Sequence, residues 1–270
     1  MVDRVQTPAE RAAQGAALRP GNVVDLPTPP PKPLDWESLE EHGEPPARKW
    51  ALDLWVGMGH VTLLSGSGGL GKSILAQQVL TAIALGQQFI ANAAEPRRAL
   101  GWMGEDDENE LWRRQMAICA KFDVKLSALR GRMDLYAMDR YECCLMDLFE
   151  GRPTRTSLLK DLREQVGDLK AEIVLLDNIS RLFGCNENDR HHVSNFYSAL
   201  QWASSPTDAA VILIGHVSKL GGSEFSGSTA WENAARGRLW LTDKPPDQKP
   251  EAEDDGEPVD LRYQAKRKVN

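Results

Sequence analysis

The chain has 270 residues, 41% of them hydrophobic and 26% charged, with a formal charge of −7. This suits one large globular domain, or one domain with tails; no apolar stretch is long enough to span a bilayer, and the N-terminus lacks the apolar core of a secretory signal. An acidic chain cannot coat nucleic acid with its whole surface, so any such contact is local or is built from several subunits.

Residues 1–33 read as a disordered, Pro-rich tail: "LPTPPPKP" favours extended polyproline, and little before it can build a core. A single domain is expected over 34–270, with "DWESLEEHGEPPARKW" along its outside. Strands and helices then alternate. "HVTLLSG" predicts a strand, "KSILAQQVLTAIALG" a helix ending at Gly86, "ALGWMG" a second strand, and 109–122 a second helix. "MDLYAM" is a short third strand and "SLLKDLREQVGDLK" an amphipathic helix. "EIVLLDN" is the near-continuous apolar run of a strand buried on both faces. A helix near 192–204 and the strand "AVILIGH" follow, and "GRLWLTD" with "PVDLRYQAKRK" predicts a C-terminal β-hairpin around an acidic loop. The fold class is therefore α/β, a mostly parallel twisted sheet with helices on both faces, whose ligands bind beyond the carboxyl ends of the strands. Cys119, Cys143, Cys144 and Cys185 lack metal-site spacing and read as reduced thiols of a cytoplasmic protein.

"GSGGLGKS" runs from Gly66 to Ser73 between the first strand and the first helix and fits G-x-x-x-x-G-K-[ST] at every fixed position. Glycines let several backbone N–H groups face one phosphate chain, and the helix N-terminus adds partial positive charge. The binding set is Gly66, Ser67, Gly68, Gly69, Leu70, Gly71, Lys72, Ser73 and Ile74; Lys72 reaches the β- and γ-phosphates, and Ser73 is a Mg²⁺ ligand. A chance glycine-rich turn would not carry lysine, serine and both flanks together. Asp177, at the end of "IVLLD", is the second metal-site residue, acting through water.

Many P-loop motors place a catalytic glutamate beside that aspartate, but here Asn178 and Ile179 follow. The base that orients the attacking water must come from elsewhere. "GWMGEDDENELWRR" supplies Glu105 at the end of the next strand, where a carboxylate can face the γ-phosphate. Asp106 supports Glu105 or the metal, while Asp107, Glu108 and Glu110 suit a helix N-terminus. The plainer alternative is that all these acids are simply solvated.

From about Trp50 to Asn270 the chain resembles the RecA-like ATPases of plasmid and phage replication, typified by the RepA-type hexameric helicases. The carriers are "VTLLSGSGGLGKSILAQQ", "GWMGEDDENELWRR", "IVLLDNISRLF", "VILIGHVSK", "SGSTAWENAARGRLWL" and "LRYQAKRKVN", in that order. The resemblance implies a RecA-like P-loop core, ring assembly from copies of one chain, and ATP hydrolysis with Mg²⁺ at subunit interfaces. It puts the catalytic glutamate on Glu105, the metal-site aspartate on Asp177 and a γ-phosphate sensor on His216, which taken alone would read as a structural histidine. Two departures stand out. Gly215-His216 replaces the His-His pair of many plasmid relatives, and Ser226 stands where some carry an in-trans arginine. The in-trans cation then falls on Arg236 or on Lys266 to Lys268, with a phosphate role for Lys268; Arg236 and Arg238 can equally be surface cations or guards of a sheet edge. Relatives continue beyond Asn270, so the last strand is expected to be cut short.

The stretches 184–192 and 217–227 follow strands at the ligand end, where such rings face a central channel; Arg190 and Lys219 would contact single-stranded DNA there, unless both stretches are surface loops. Trp50 either flanks the adenine or packs in the core or under a lid. The leading reading is an ATPase coupled to single-stranded DNA as a helicase or translocase. The alternative is an ATP-dependent switch, a loader or regulator in replication or recombination that does not unwind. A small-molecule P-loop kinase lacks the arginine-rich lid it would need.

Overall fold

The computed structural model describes residues 32–91, 95–216, 230–243 and 263–269. The predicted tail falls almost wholly outside these residues, as do the stretch 217–227 and the acidic loop. Described strands are β1 (Trp50–Leu52), β2 (Val56–Gly57), β3 (Val61–Gly66), β4 (Ala99–Met103), β5 (Met133–Ala137), β6 (Met146–Phe149), β7 (Arg152–Arg155), β8 (Ile173–Asp177), β9 (Ala210–His216), β10 (Gly237–Thr242) and β11 (Tyr263–Val269). Helices are α1 (Trp36–His42), α2 (Lys72–Leu85), α3 (Glu108–Lys121), α4 (Ser157–Leu169), α5 (Ile179–Leu182), α6 (Arg190–Ser204) and α7 (Ala230–Ala234).

Seven strands form the central sheet in the order β11-β10-β3-β9-β8-β4-β5. All neighbours are parallel except the edge strand β11, which pairs antiparallel with β10. Strand alternation divides the core. Leu63, Leu100, Trp102, Val174, Leu176, Val211 and Leu213 face one side, packed with α4, α6 and α7. Leu64, Ala99, Met103, Ile173, Leu175, Ile212 and Ile214 face the other, packed with α2, Leu111 of α3 and the β1–β2 hairpin. This is the RecA-like P-loop architecture expected, with helices covering both faces of a sheet whose inner strands β3, β4 and β8 are buried throughout. Among the described residues no helix is long and apolar enough to cross a membrane.

Helix α2 is largely buried, apolar and polar residues alike; glycines in left-handed conformation flank it at Gly71 (φ 85°) and Gly86 (φ 66°). One polar cluster interrupts its contact with α3. Gln77 donates to the Gln115 side chain at 2.9 Å, and Gln115 donates to the Thr81 hydroxyl at 3.1 Å, all three buried. The Gln77 side-chain amide oxygen has no hydrogen-bond partner among the described residues.

Several elements were not expected. The β1–β2 and β6–β7 hairpins lie outside the main sheet. Helix α1 buries none of its residues, and Trp36 is 72% exposed. Helix α6 starts at Arg190 rather than near 192 because the Asp189 carboxylate caps it, accepting from His191 N–H at 2.8 Å and His192 N–H at 3.3 Å. The predicted loop 184–192 is thus a short turn leading into a capped helix.

Candidate active site

Pairing register aligns the functional strand ends. Gly66 pairs with His216 on one side and Leu241 on the other, and Met103 pairs with Asp177. The carboxyl ends of β3, β4, β8 and β9 therefore open at one edge of the sheet.

The phosphate loop leaves β3 through Gly66, where φ is 156° and a Cβ would lie 2.4 Å from the Leu241 carbonyl oxygen. Only glycine fits so close to the neighbouring strand. Lys72, the first residue of α2, is 3% exposed; its ammonium donates to the Gly66 and Ser67 carbonyls at 2.8 Å each. Burial lowers its pKa, while the nearby Asp177 and Glu105 carboxylates pull it back up. The lysine thus lies within the electrostatic reach of both acids that the sequence singled out.

Asp177 ends β8 and is 1% exposed, yet neither carboxylate oxygen has a hydrogen-bond partner among the described residues. Its pKa is raised to about 6, chiefly by burial and further by Glu105 and Asp106; the Ser73 hydroxyl beside it and Arg114 act the other way. Ser73 favours the ionised carboxylate without completing a bond of good geometry. Two buried oxygens without a partner fit a hydrated cation.

Glu105 follows β4 by way of Gly104, whose N–H donates to the Asp177 carbonyl at 2.5 Å. A Cβ on Gly104 would lie 2.7 Å from that same oxygen, so the absence of a side chain is what lets the ends of β4 and β8 approach. The exposed Glu105 carboxylate accepts from the Asn178 side-chain amide at 2.5 Å. Asn178 is itself fully buried, and Ser180 donates to its carbonyl oxygen at 2.5 Å. Asn178 is the residue that sequence reasoning passed over. Its signal was there: an amide occupies the place where many P-loop motors carry a second acid.

Asp106 is engaged by an arginine while staying close enough to raise the Asp177 pKa. Arg114 holds it in a two-pronged pair at 2.5 and 2.9 Å and reaches Glu110 at 2.9 Å. Asp107 caps α3, accepting from Glu110 N–H at 2.7 Å, and Glu108 and Glu110 lie in its first turn. Three of the four consecutive acids thus belong to the helix start and its arginine, leaving Glu105 within electrostatic reach of Lys72.

Comparison with protein families matches residues 27–222 to the AAA domain family. The chain belongs to that family. No curated protein matches it. An AAA domain with this loop is a P-loop ATPase core, and membership implies a bound nucleotide, commonly with Mg²⁺. The residues present fit that pair. No described cluster of three or more His, Cys, Asp or Glu residues forms a metal cage of its own. Ser73 and Asp177 are instead the sparse oxygen donors that Mg²⁺ uses beside phosphates and water.

Other predicted site residues sit elsewhere in this AAA domain. His216 ends β9 next to Gly66 in register. Arg236 is exposed and lies just before β10, its N–H donating to the Val61 carbonyl at 3.3 Å. That is the amino end of the strands, away from the phosphate loop. Lys268 pairs with Arg238, beside Leu63, toward the same end. Neither residue is placed to meet a nucleotide held by its own chain, so a phosphate role for either exists only across a subunit boundary. Arg238 is tied to Glu232 at 3.0 Å. Trp50 lies at the amino end too, which removes it from the adenine of its own subunit. Arg190 is exposed at the start of α6. Lys219 lies outside the described residues.

Proposed function

We propose that the chain hydrolyses ATP with Mg²⁺ in a ring of its own copies and couples this to single-stranded DNA, as a helicase or translocase of phage or plasmid type. One observation carries the chemistry: the Asn178 amide holds the Glu105 carboxylate at the edge of the sheet where Lys72 and buried Asp177 converge.

In this reading the loop amides and α2 cradle the phosphates. Lys72 exchanges its two carbonyl partners for the β- and γ-phosphates, which removes the cost of its burial as an unpaired charge. Glu105 accepts a hydrogen bond from water, aims it at the γ-phosphorus in line with the bridging oxygen, and takes the proton as the new bond forms. The bond to the bridging oxygen breaks and ADP leaves with the electron pair. When bound, Mg²⁺ supplies positive charge to the phosphates, with Ser73 and, through water, Asp177 as its protein ligands. His216, the register partner of Gly66, reports the γ-phosphate to the segment 217–227 that follows it.

The test is steady-state ATPase activity with and without single-stranded DNA, alongside strand displacement. Stimulation by DNA, loss of turnover in Lys72→Ala, and unwinding are expected. Nucleotide binding with slow turnover and no unwinding would favour the loader or switch instead, and indifference to single-stranded DNA would remove the helicase reading.

A further inference from the structure

At the other end of the sheet, the amino ends of β3, β9 and β10 frame a second cleft of about 600 Å³, lined among others by Arg48, Lys49, Trp50, His60, Asp208 and Arg236. A strand of this length spans about 20 Å, so the cleft is separate from the phosphate loop. Arg48, Lys49 and Arg236 are exposed, and none is ion-paired with a described residue. Three cations face one carboxylate, Asp208, in a chain that is acidic overall. The space between the rings has a local cause. A Cβ at Gly57 would lie 3.5 Å from His60 and 3.7 Å from Trp50, so bare backbone there keeps both rings accessible. The Gly59 N–H, donating to the Asp208 carbonyl at 2.9 Å, ties the floor together.

We infer that this cleft binds a short stretch of single-stranded nucleic acid, with phosphates on Arg48, Lys49 and Arg236 and a base against Trp50. It is a contact additional to the segments 184–192 and 217–227, and it rests on the single-stranded DNA reading above. Cations alone would suit any acidic partner; cations alternating with an aromatic ring suit a chain that alternates phosphate and base. A volume within the roughly 300–1,000 Å³ usual for small-ligand sites accommodates nucleotide units but not a duplex.

The test is fluorescence anisotropy of a labelled oligothymidylate over a salt series, with full-length protein. Arg48→Glu/Lys49→Glu should weaken binding at least tenfold at low salt and flatten the slope of log K against log salt by about 1.4, at about 0.7 for each phosphate left without its cation. Basal ATPase activity should be unchanged, since neither residue touches the phosphate loop, and this also certifies folding. Trp50→Leu should weaken binding roughly tenfold with the slope retained. The control Lys121→Glu/Arg130→Glu, two exposed cations elsewhere, should shift affinity less than about twofold. An equal loss in the control overturns the inference, as does an unchanged slope in the cleft variant while wild type binds; the helicase reading survives both. Absence of binding by wild type overturns both readings together. Competition by excess AMP would assign the cleft to free nucleotide. A fall in ATPase activity in the cleft variant would assign it to a neighbouring subunit. Either result refutes the strand.

Discussion

Asp177 gives a prediction in which function and stability move in opposite directions. Its side chain is 1% exposed, without a hydrogen-bond partner among the described residues, and its pKa is raised from 3.8 to about 6. In the unfolded chain the carboxyl ionises near its ordinary value; in the fold it resists ionisation until about pH 6. Below the unfolded value both states are protonated and the group contributes no penalty. As pH rises toward 6 the unfolded state is progressively favoured, and above 6 the full penalty applies. A rise of this size corresponds to about 3 kcal/mol at about 1.4 kcal/mol per unit. Asp177→Asn removes the charge but buries an amide that needs its own partners, so the net gain at pH 7 should be about 1–3 kcal/mol. For a domain of this size that is roughly 2–12 °C in Tm. The assay is urea unfolding of both proteins in EDTA at pH 4 and pH 7. The difference should be near zero at pH 4 and favour the variant at pH 7. Mg²⁺ with ATP should stabilise wild type and not the variant, which should not turn over ATP. If the variant is the less stable protein at pH 7 without metal, the carboxylate is not under the unfavourable burial described, and the argument for a cation there falls with it.

Three further outcomes follow from the same geometry. Glu105→Gln should lower kcat by about 10²–10⁴ while leaving the ATP Kd within about threefold, read by turnover and equilibrium binding. Asn178→Ala removes the donor that holds Glu105 and should lower kcat about tenfold with Kd unchanged; a matching loss in Kd would mean that the amide supports the loop rather than the base. Gly104→Ala forces the ends of β4 and β8 apart and should cost about 1–3 kcal/mol in urea unfolding, with kcat falling further than in Asn178→Ala.

The sheet was legible because its strands are buried on both faces and separated by helices of clear period. "EIVLLDN" and "AVILIGH" could belong only to the middle of such a sheet, and they do. The small hairpins were not legible. Strands β1 and β2 are too short for alternation to show, and "MDLFEGRPTR" reads as a turn because it carries Asp147, Glu150 and Pro153. Within the site, motif spacing singled out the phosphate loop, a strand-end position singled out Asp177, and the lack of an acid after Asp177 pointed to Glu105. Division of labour within "EDDE" needed coordinates, since Asp106 is paired by an arginine eight positions later. The placement of Arg236 and Lys268 was invisible for a related reason: a strand's sequence does not say which of its ends faces the ligand until its neighbours and their direction are known.

The Gln77–Gln115–Thr81 cluster joins the helix that begins at Lys72 to the helix that begins three residues past Glu105. Oil between those helices would let them slide; directional amides impose a rotational setting, so the two reactive ends are indexed to one another from behind. Among the described residues Gln77 keeps one unused acceptor at this joint, its side-chain amide oxygen.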